Sequence, residues 1–393
     1  VDVDAWKEQL NKWSGIFKEY PFVQQSSIGL SLTNDNRYFV DSDGGMIQTG
    51  QSYARLSLRC SGICDDGMRI NRAETFDSDS PDRLPAAQTV EKSIHRLIDE
   101  LKALLDAPLA EPYAGPAILI NRASGVFFHE IFGHRLEGHR QKSETEGQTF
   151  ARMVGEKILP EFISVYDDPT VKEYDNIFLR GHYLYDDEGI RARRINVVEN
   201  GVLKEFLMSR SPINNFPHSN GHGRKQAGNA VVARQGNLVI ESSRTYPFDT
   251  LLAMLAEECR RQDKPYGLIF HDISGGRTQT GRYGPQSFKV LPLLVYRYYA
   301  DGRPMEAIRG VDIVGTPLAS FEKITATGDD YATFNGTCGA ESGWVPVSAT
   351  SPSILVSLVE VEKKTKEQDK PPILPPPYQP PESGRKTIIG GLQ

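Results

Sequence analysis

Apolar residues recur at helical spacing twice near the start of the chain. Trp6, Leu10, Trp13 and Phe17 predict a short amphipathic helix over 5–20 with an aromatic face. Ile94, Leu97, Ile98, Leu101, Leu104 and Leu105 predict a second helix over 88–106. Between them, from Ser26 to Phe76, the period falls to two in stretches such as Tyr53–Leu58. These are broken at Asp41-Ser42-Asp43-Gly44-Gly45 and Asp65-Asp66-Gly67, a pattern of strands and turns. Pro108, Pro112, Gly115 and Pro116 then interrupt both periods, and a domain boundary is expected there. A short buried strand, Ala117–Ile120, leads into a helix over 122–137. The remainder is mostly β: Ile190–Val198 and Val202–Leu207 flank Glu199-Asn200-Gly201, and Val290–Tyr299 and Met305–Ile313 flank Asp301-Gly302, both hairpin signatures. Phe248–Arg261 reads as a helix, Thr316-Pro317 as a helix start, and Trp344–Thr350 with Ile354–Val361 as closing strands.

The predicted class is α+β: a smaller N-terminal α/β domain over 1–110, a large strand-rich C-terminal domain over 111–365 that carries the one helix rich in histidine, and a tail over 366–393. In that tail Lys370 to Arg385 holds seven of the 25 prolines, which favours an extended linker over a packed element. The 393 residues are enough for two ordinary domains. With 39 % apolar and 24 % charged residues, the chain is too apolar for wholesale disorder. No apolar run approaches the roughly 18 residues of a membrane-spanning helix, so no membrane partner is expected. The 45 Lys and Arg against 51 Asp and Glu give a net charge of −6, so no general attraction to nucleic acid is expected either. Four cysteines, Cys60, Cys64, Cys259 and Cys338, are too few for a disulfide scaffold. The first residue is Val, so any leader is expected to be absent already. A cytoplasmic location is the default expectation and export with the leader removed the alternative.

Histidine is scarce, eight in all, yet three fall between His129 and His139. His129-Glu130 followed by His134 is the His-Glu-x-x-His zinc pattern with one residue too many. Positions i and i+4 lie about 40° apart around a helix, whereas i and i+5 lie about 140° apart. Two imidazoles so spaced share a ligand only if the helix is distorted, and a π-bulge, which absorbs one residue, would realign them. Gly133 is the expected place for it, because glycine weakens the regular helix. Neutral His129 and His134 would then donate ring nitrogens, and Glu130 would take a proton from the water that zinc activates. A catalytic zinc needs a third protein ligand. His139, Glu137, Cys338, His218, His222 and His271 are all chemically suitable, and spacing does not choose among them.

Together with segments farther along the chain, this stretch resembles the TldD/PmbA family of metallopeptidases, also called modulators of DNA gyrase. The landmarks are His129–His134 with Leu136-Glu137-Gly138, then Asp186-Asp187-Glu188-Gly189 leading to Val198-Glu199-Asn200-Gly201-Val202-Leu203. Ser219-Asn220-Gly221-His222-Gly223-Arg224 and Gly336-Thr337-Cys338-Gly339 come next, with Val345-Pro346-Val347 behind. The resemblance implies zinc held by His129, His134 and Cys338, with Glu130 as general base, acting on peptides or unfolded polypeptide in maturation or turnover. It also implies a homodimer, or a heterodimer with a metal-free family paralogue. The family name is no evidence of contact with DNA, since the small cluster Arg191, Arg193 and Arg194 makes no binding surface. His139 stands where the family carries an acidic residue, and His222 lies inside what is usually a simpler Gly-Asn-Gly-Arg turn. These two and Arg224 are secondary candidates for contacting substrate, each with a structural role as the alternative. The segment ahead of the histidine helix is short for the family, so a longer N-terminal domain is expected. Two other functions fit the same residues: a non-catalytic peptide-binding partner subunit, and a zinc amidase acting on non-peptide substrates. Cys60-x-x-x-Cys64 lacks a second pair and is read as two free thiols.

Overall fold

The computed structural model describes residues 1–142, 145–146, 148–281, 287–316 and 320–364. The Pro-rich tail and Pro317 of the expected helix start therefore lie outside the described residues. Helix α1 (Val3–Ile16) is capped by Asp2, whose carboxylate accepts the N–H groups of Asp4 and Ala5. Strands β1 (Gln25–Val40), β2 (Met46–Ile63) and β3 (Arg69–Ser78) form an antiparallel sheet in that order. Helix α2 (Ala87–Asp106) buries Val90, Ile94, Leu97, Ile98, Leu101 and Leu104 against Leu56, Leu58, Cys60 and Ile70 of that sheet, with Trp13 and Phe17 completing the cluster. The burial of apolar surface on these two helix stripes and one sheet face holds this half together. Among the described residues no helix is long and apolar enough to cross a membrane.

Beyond Asp106 the chain enters β4 (Tyr113–Leu119) and then helix α3 (Asn121–Phe128), which continues through residue 136. Next come β5 (Ile163–Asp167), β6 (Ile195–Glu199), β7 (Val202–Leu203), β8 (Asn237–Ser242) and helix α4 (Phe248–Arg261). The chain closes with β9 (Tyr266–Thr278), β10 (Phe288–Tyr299), β11 (Val311–Gly315), β12 (Ile324–Gly328), β13 (Ala332–Ala340), β14 (Gly343–Ser351) and β15 (Ile354–Lys363). One sheet runs β13-β14-β8-β5-β6-β7, leaving β13 at its edge. In the other, β4, β9, β10, β11 and β15 pair in succession, and β15 pairs back onto β4.

The sheets meet over α3, whose buried side includes Ala123, Val126, Phe127 and Phe128. The helix lies close on β14: a Cβ at Gly125 would come within 2.8 Å of the Ala349 carbonyl oxygen. The β6–β7 hairpin turns through Asn200 (φ 48°) and Gly201 (φ 79°), the left-handed pair its sequence predicts. Its arms are shorter than expected. Residues 190–194 are not part of β6, and Leu207 leaves the hairpin to donate its N–H to the Leu136 carbonyl at the end of the histidine helix.

Across the two halves, Arg72 on β3 pairs with Glu100 on α2 at 2.7 Å and with Asp272 on β9 at 3.0 Å. Only 1 % of the Arg72 side chain is exposed. Removing the cation leaves the mostly buried Asp272 without it and Glu100 with Arg96 alone, so Arg72→Ala is expected to lower the unfolding free energy by about 3–5 kcal/mol, read from urea denaturation. A loss below about 1 kcal/mol would mean that this buried arginine contributes little to joining the halves.

Candidate metal centre

Helix α3 is regular up to Phe128, and the turn His129–Gly133 is a π-helix. The His134 N–H accordingly reaches back to the His129 carbonyl, five residues away. The extra residue brings both imidazoles to one side, with ring centroids 5.1 Å apart. Gly133 matters through space as well as through helix propensity. A Cβ there would fall 1.9 Å from Oε1 of Gln235, whose side chain occupies the widened turn and donates from Nε2 to the His129 carbonyl at 3.4 Å. Cys338 arrives from the edge strand β13 with its Sγ 3.3 Å from His134 Nε2. Donor atoms of His129, His134 and Cys338 all lie within 4.8 Å of one another, and among the described residues they are the one such group of three. The glycines beside Cys338 make room for aromatic rings: a Cβ at Gly336 would meet Phe334 at 2.5 Å, and one at Gly339 would meet Trp344 at 2.8 Å.

The donor set fits a borderline-soft cation. Two imidazoles and a thiol are zinc-type ligands, and His129 Nδ1 is buried without a hydrogen-bond partner in the protein. Burial by itself would raise the Cys338 thiol, but the His134 and His129 rings beside it hold it well below the ordinary thiol range. The reciprocal effect overcomes the burial of the rings, so both histidines are raised, His134 well above the usual imidazole range by Cys338 and Glu137. A cation held here would take the thiolate and the neutral rings, so its binding displaces protons.

Glu137 and Arg234, both with side chains 0 % exposed, tie the two arms of this centre together. Glu137 Oε2 lies 3.2 Å from His134 Nδ1 and accepts from Arg140 Nε at 2.8 Å, while Oε1 is 3.3 Å from Arg234 Nε. Arg234 in turn donates from Nη2 to the Cys338 carbonyl at 2.9 Å and from Nη1 to Ser342 Oγ at 2.9 Å. Burial would raise the Glu137 carboxyl, yet His134, Arg140 and Arg234 hold it well below the usual carboxylate range. Glu137 thus orients His134 rather than standing as a third ligand, the role its spacing also allows. No local sequence signal marks Arg234 or Gln235, which approach the helix from another part of the chain.

A model of the PmbA/TldA metallopeptidase C-terminal domain matches residues 113–363, more than half of the chain. The chain belongs to the PmbA/TldD metallopeptidase family. A metalloprotease of Archaeoglobus fulgidus is 31 % identical over 269 residues, which cover 68 % of this chain and 57 % of that protein. A Saccharolobus solfataricus protein named a zinc metalloprotease TldD homolog is 28 % identical over 269 residues, 68 % of this chain and 54 % of its own. The chain thus spans little more than half the length of these two relatives. A solved structure from Thermotoga maritima shares the fold with a TM-score of 0.66 at 16 % identity, over 92 % of this chain and 74 % of that one.

In this PmbA/TldD chain the centre opens into a cleft of about 520 Å³, lined by His129, Glu130, His134 and Cys338 with Ser274–Thr278 of β9 opposite. Glu130 is half-buried, its Cγ resting where a Cβ at Gly276 would come within 2.8 Å. The other candidates for substrate contact stand elsewhere. His222 is 0 % exposed, with Nε2 3.3 Å from Asp167 Oδ1 and Nδ1 3.1 Å from Asn220 Oδ1, and does not line the cleft. Arg224 donates from Nη1 to the Gln235 and Pro346 carbonyls and faces a separate cavity of about 690 Å³. The turn that carries both is folded inward by these buried hydrogen bonds, which accords with the structural alternative for each and keeps both away from the metal cleft. His139 pairs with Glu341 and lines an adjoining hollow rather than the metal cleft. His218 and His271 are exposed, and Cys60 and Cys64 are free thiols in the N-terminal core.

Replacing Glu137 by Gln is expected to weaken Zn²⁺ binding about 10–100-fold in competition with a chromophoric chelator. A change under about threefold would remove Glu137 from this role. Gly133→Ala is expected to cost about 1–3 kcal/mol in unfolding free energy as Gln235 is driven out of the π turn. An unchanged melting temperature would show that the turn does not depend on that space.

Proposed function

We propose that this chain is a zinc-dependent peptidase that hydrolyses peptides or unfolded polypeptide. One observation carries the reading: the donors of His129, His134 and Cys338 converge within 4.8 Å in a cleft that Glu130 also lines. Blue-copper centres use the same donor types with an axial methionine, and no methionine lines this cleft. Bound zinc supplies a Lewis acid and acidifies water at neutral pH. Glu130, half-buried beside the centre, accepts the proton of the attacking water and delivers it to the departing amine. Glu137 keeps the His134 ring in one orientation while this occurs.

Strand edges support an extended substrate. Strand β9 is paired on both sides at Leu268–Phe270, with β4 and β10, but only with β10 from Gly275 to Thr278. Its other edge there borders the cleft, and β13 ends its own sheet on the opposite wall. A peptide laid between them could bond through its backbone, which gives affinity with loose sequence preference. A homodimer or a heterodimer with a paralogue accords with Tyr38, Val40 and Met46, exposed apolar residues near the tip of the β1–β2 arm. The presence of Glu130 with all three donors favours an active subunit over a metal-free binding partner.

Glu130→Gln is expected to retain bound zinc, measured by atomic absorption, while cleavage of an unstructured peptide pool falls at least about 100-fold. Equal cleavage by the variant, or a zinc-loaded wild type that cuts nothing, would overturn the proposal.

A further inference from the structure

Among the described residues that follow Met46 in the chain, the most exposed large apolar side chain is Trp344, at 63 %. It also stands at the metal cleft, whose lining includes it together with His129, Glu130 and Cys338. Side chains alternate along a strand, so Trp344, whose cross-strand partner is Gly339, leaves the β13–β14 ribbon on the face opposite Cys338. Gly339 has no side chain, and the indole therefore lies across it, 2.8 Å from where a Cβ would be. Because β13 is an edge strand, a ring that crosses it reaches the rim of the cleft. The backbone beneath is anchored, with the Trp344 N–H donating to Gln226 Oε1 at 3.1 Å.

The two walls of the cleft differ in chemistry. Phe334 and Val347, on the Cys338 face of the ribbon, and Trp344, which comes from the other face, are its apolar lining beside Thr337 and Glu341, whereas Ser274, Thr278 and Thr280 are polar. A rigid, exposed indole on a fixed backbone offers an amphipathic contact surface at little entropic cost.

Resting on the peptidase reading, we infer that Trp344 is a specificity-determining residue that forms an apolar subsite for an aromatic or branched aliphatic side chain of the substrate peptide.

The test separates binding from chemistry. Fluorescein-labelled unstructured decapeptides that differ only in a central Phe, Leu or Ser are titrated by anisotropy into the full chain carrying Glu130→Gln. Phe and Leu peptides are expected to bind about tenfold tighter than the Ser peptide. Adding Trp344→Ala should abolish that preference, and Trp344→Phe should restore most of it. If the preference holds while the wild type cleaves none of the peptides, the peptidase reading fails and the subsite stands. If the wild type cleaves but Trp344→Ala leaves the ratio of kcat/KM for Phe over Ser peptides unchanged, the subsite is overturned. Absence of peptide binding overturns it too, as does a Trp344→Ala effect confined to the oligomeric mass, since the indole would then face a second chain.

Discussion

His134 lies five positions after His129, and a regular α-helix would turn their imidazoles about 140° apart. The π turn removes that angle, and the rest of the centre depends on it. Widening a helix opens a gap at its flank, beside the His129 carbonyl that already accepts the His134 N–H. Gln235 fills the gap and donates to the His129 carbonyl, and it can do so only because residue 133 has no side chain. The cost of the distortion is thus offset locally, by one hydrogen bond and one close contact.

A second constraint arises from the distance in sequence between the thiol and the imidazoles, 204 residues from His134 to Cys338. A helix and the edge strand of a separate sheet must keep their donors in register. The buried Glu137–Arg234 pair does this, with Glu137 against the ring of His134 and Arg234 on the backbone of Cys338. Taking such charges out of water is expensive unless each is paired, and here Arg140 donates to the other Glu137 oxygen and Arg234 donates to Ser342, while Glu137 Oε1 and Arg234 Nε face each other as an ion pair without a hydrogen bond. The same arrangement recurs between the halves of the molecule, where Arg72 satisfies two carboxylates at once. Cleft and scaffold therefore use one device, a buried arginine that joins elements far apart in the chain.

Much of the local structure is legible in the chain itself. Apolar spacing marks α2 and α4 because one stripe of each packs on a sheet. Asn200-Gly201 marks a hairpin because few residues other than Asn and Gly adopt the left-handed conformation cheaply. Strand lengths are less legible: Leu207 carries the expected pattern yet pairs with the histidine helix, since a free carbonyl at Leu136 lies nearer than a longer hairpin arm. The roles of polar residues are the hardest to foresee. His222 and Arg224 have the chemistry to meet a substrate, and hydrogen bonds to Asp167 and to two backbone carbonyls draw them inward instead.

The sequence by itself set the problem that the period of a helix poses: His129 and His134 point apart on a regular helix unless one residue is absorbed, and Gly133 is the expected place for it. It also carried the family landmarks in their order. Only the tertiary structure shows Cys338, which the family landmarks singled out, standing beside the two imidazoles, Glu137 behind His134, and Trp344 rather than His222 at the cleft. The reason is physical. Spacing along one helix is fixed by its backbone geometry, whereas the approach of Cys338, Arg234 and Gln235 depends on the order in which distant strands pair, and no local pattern records that order.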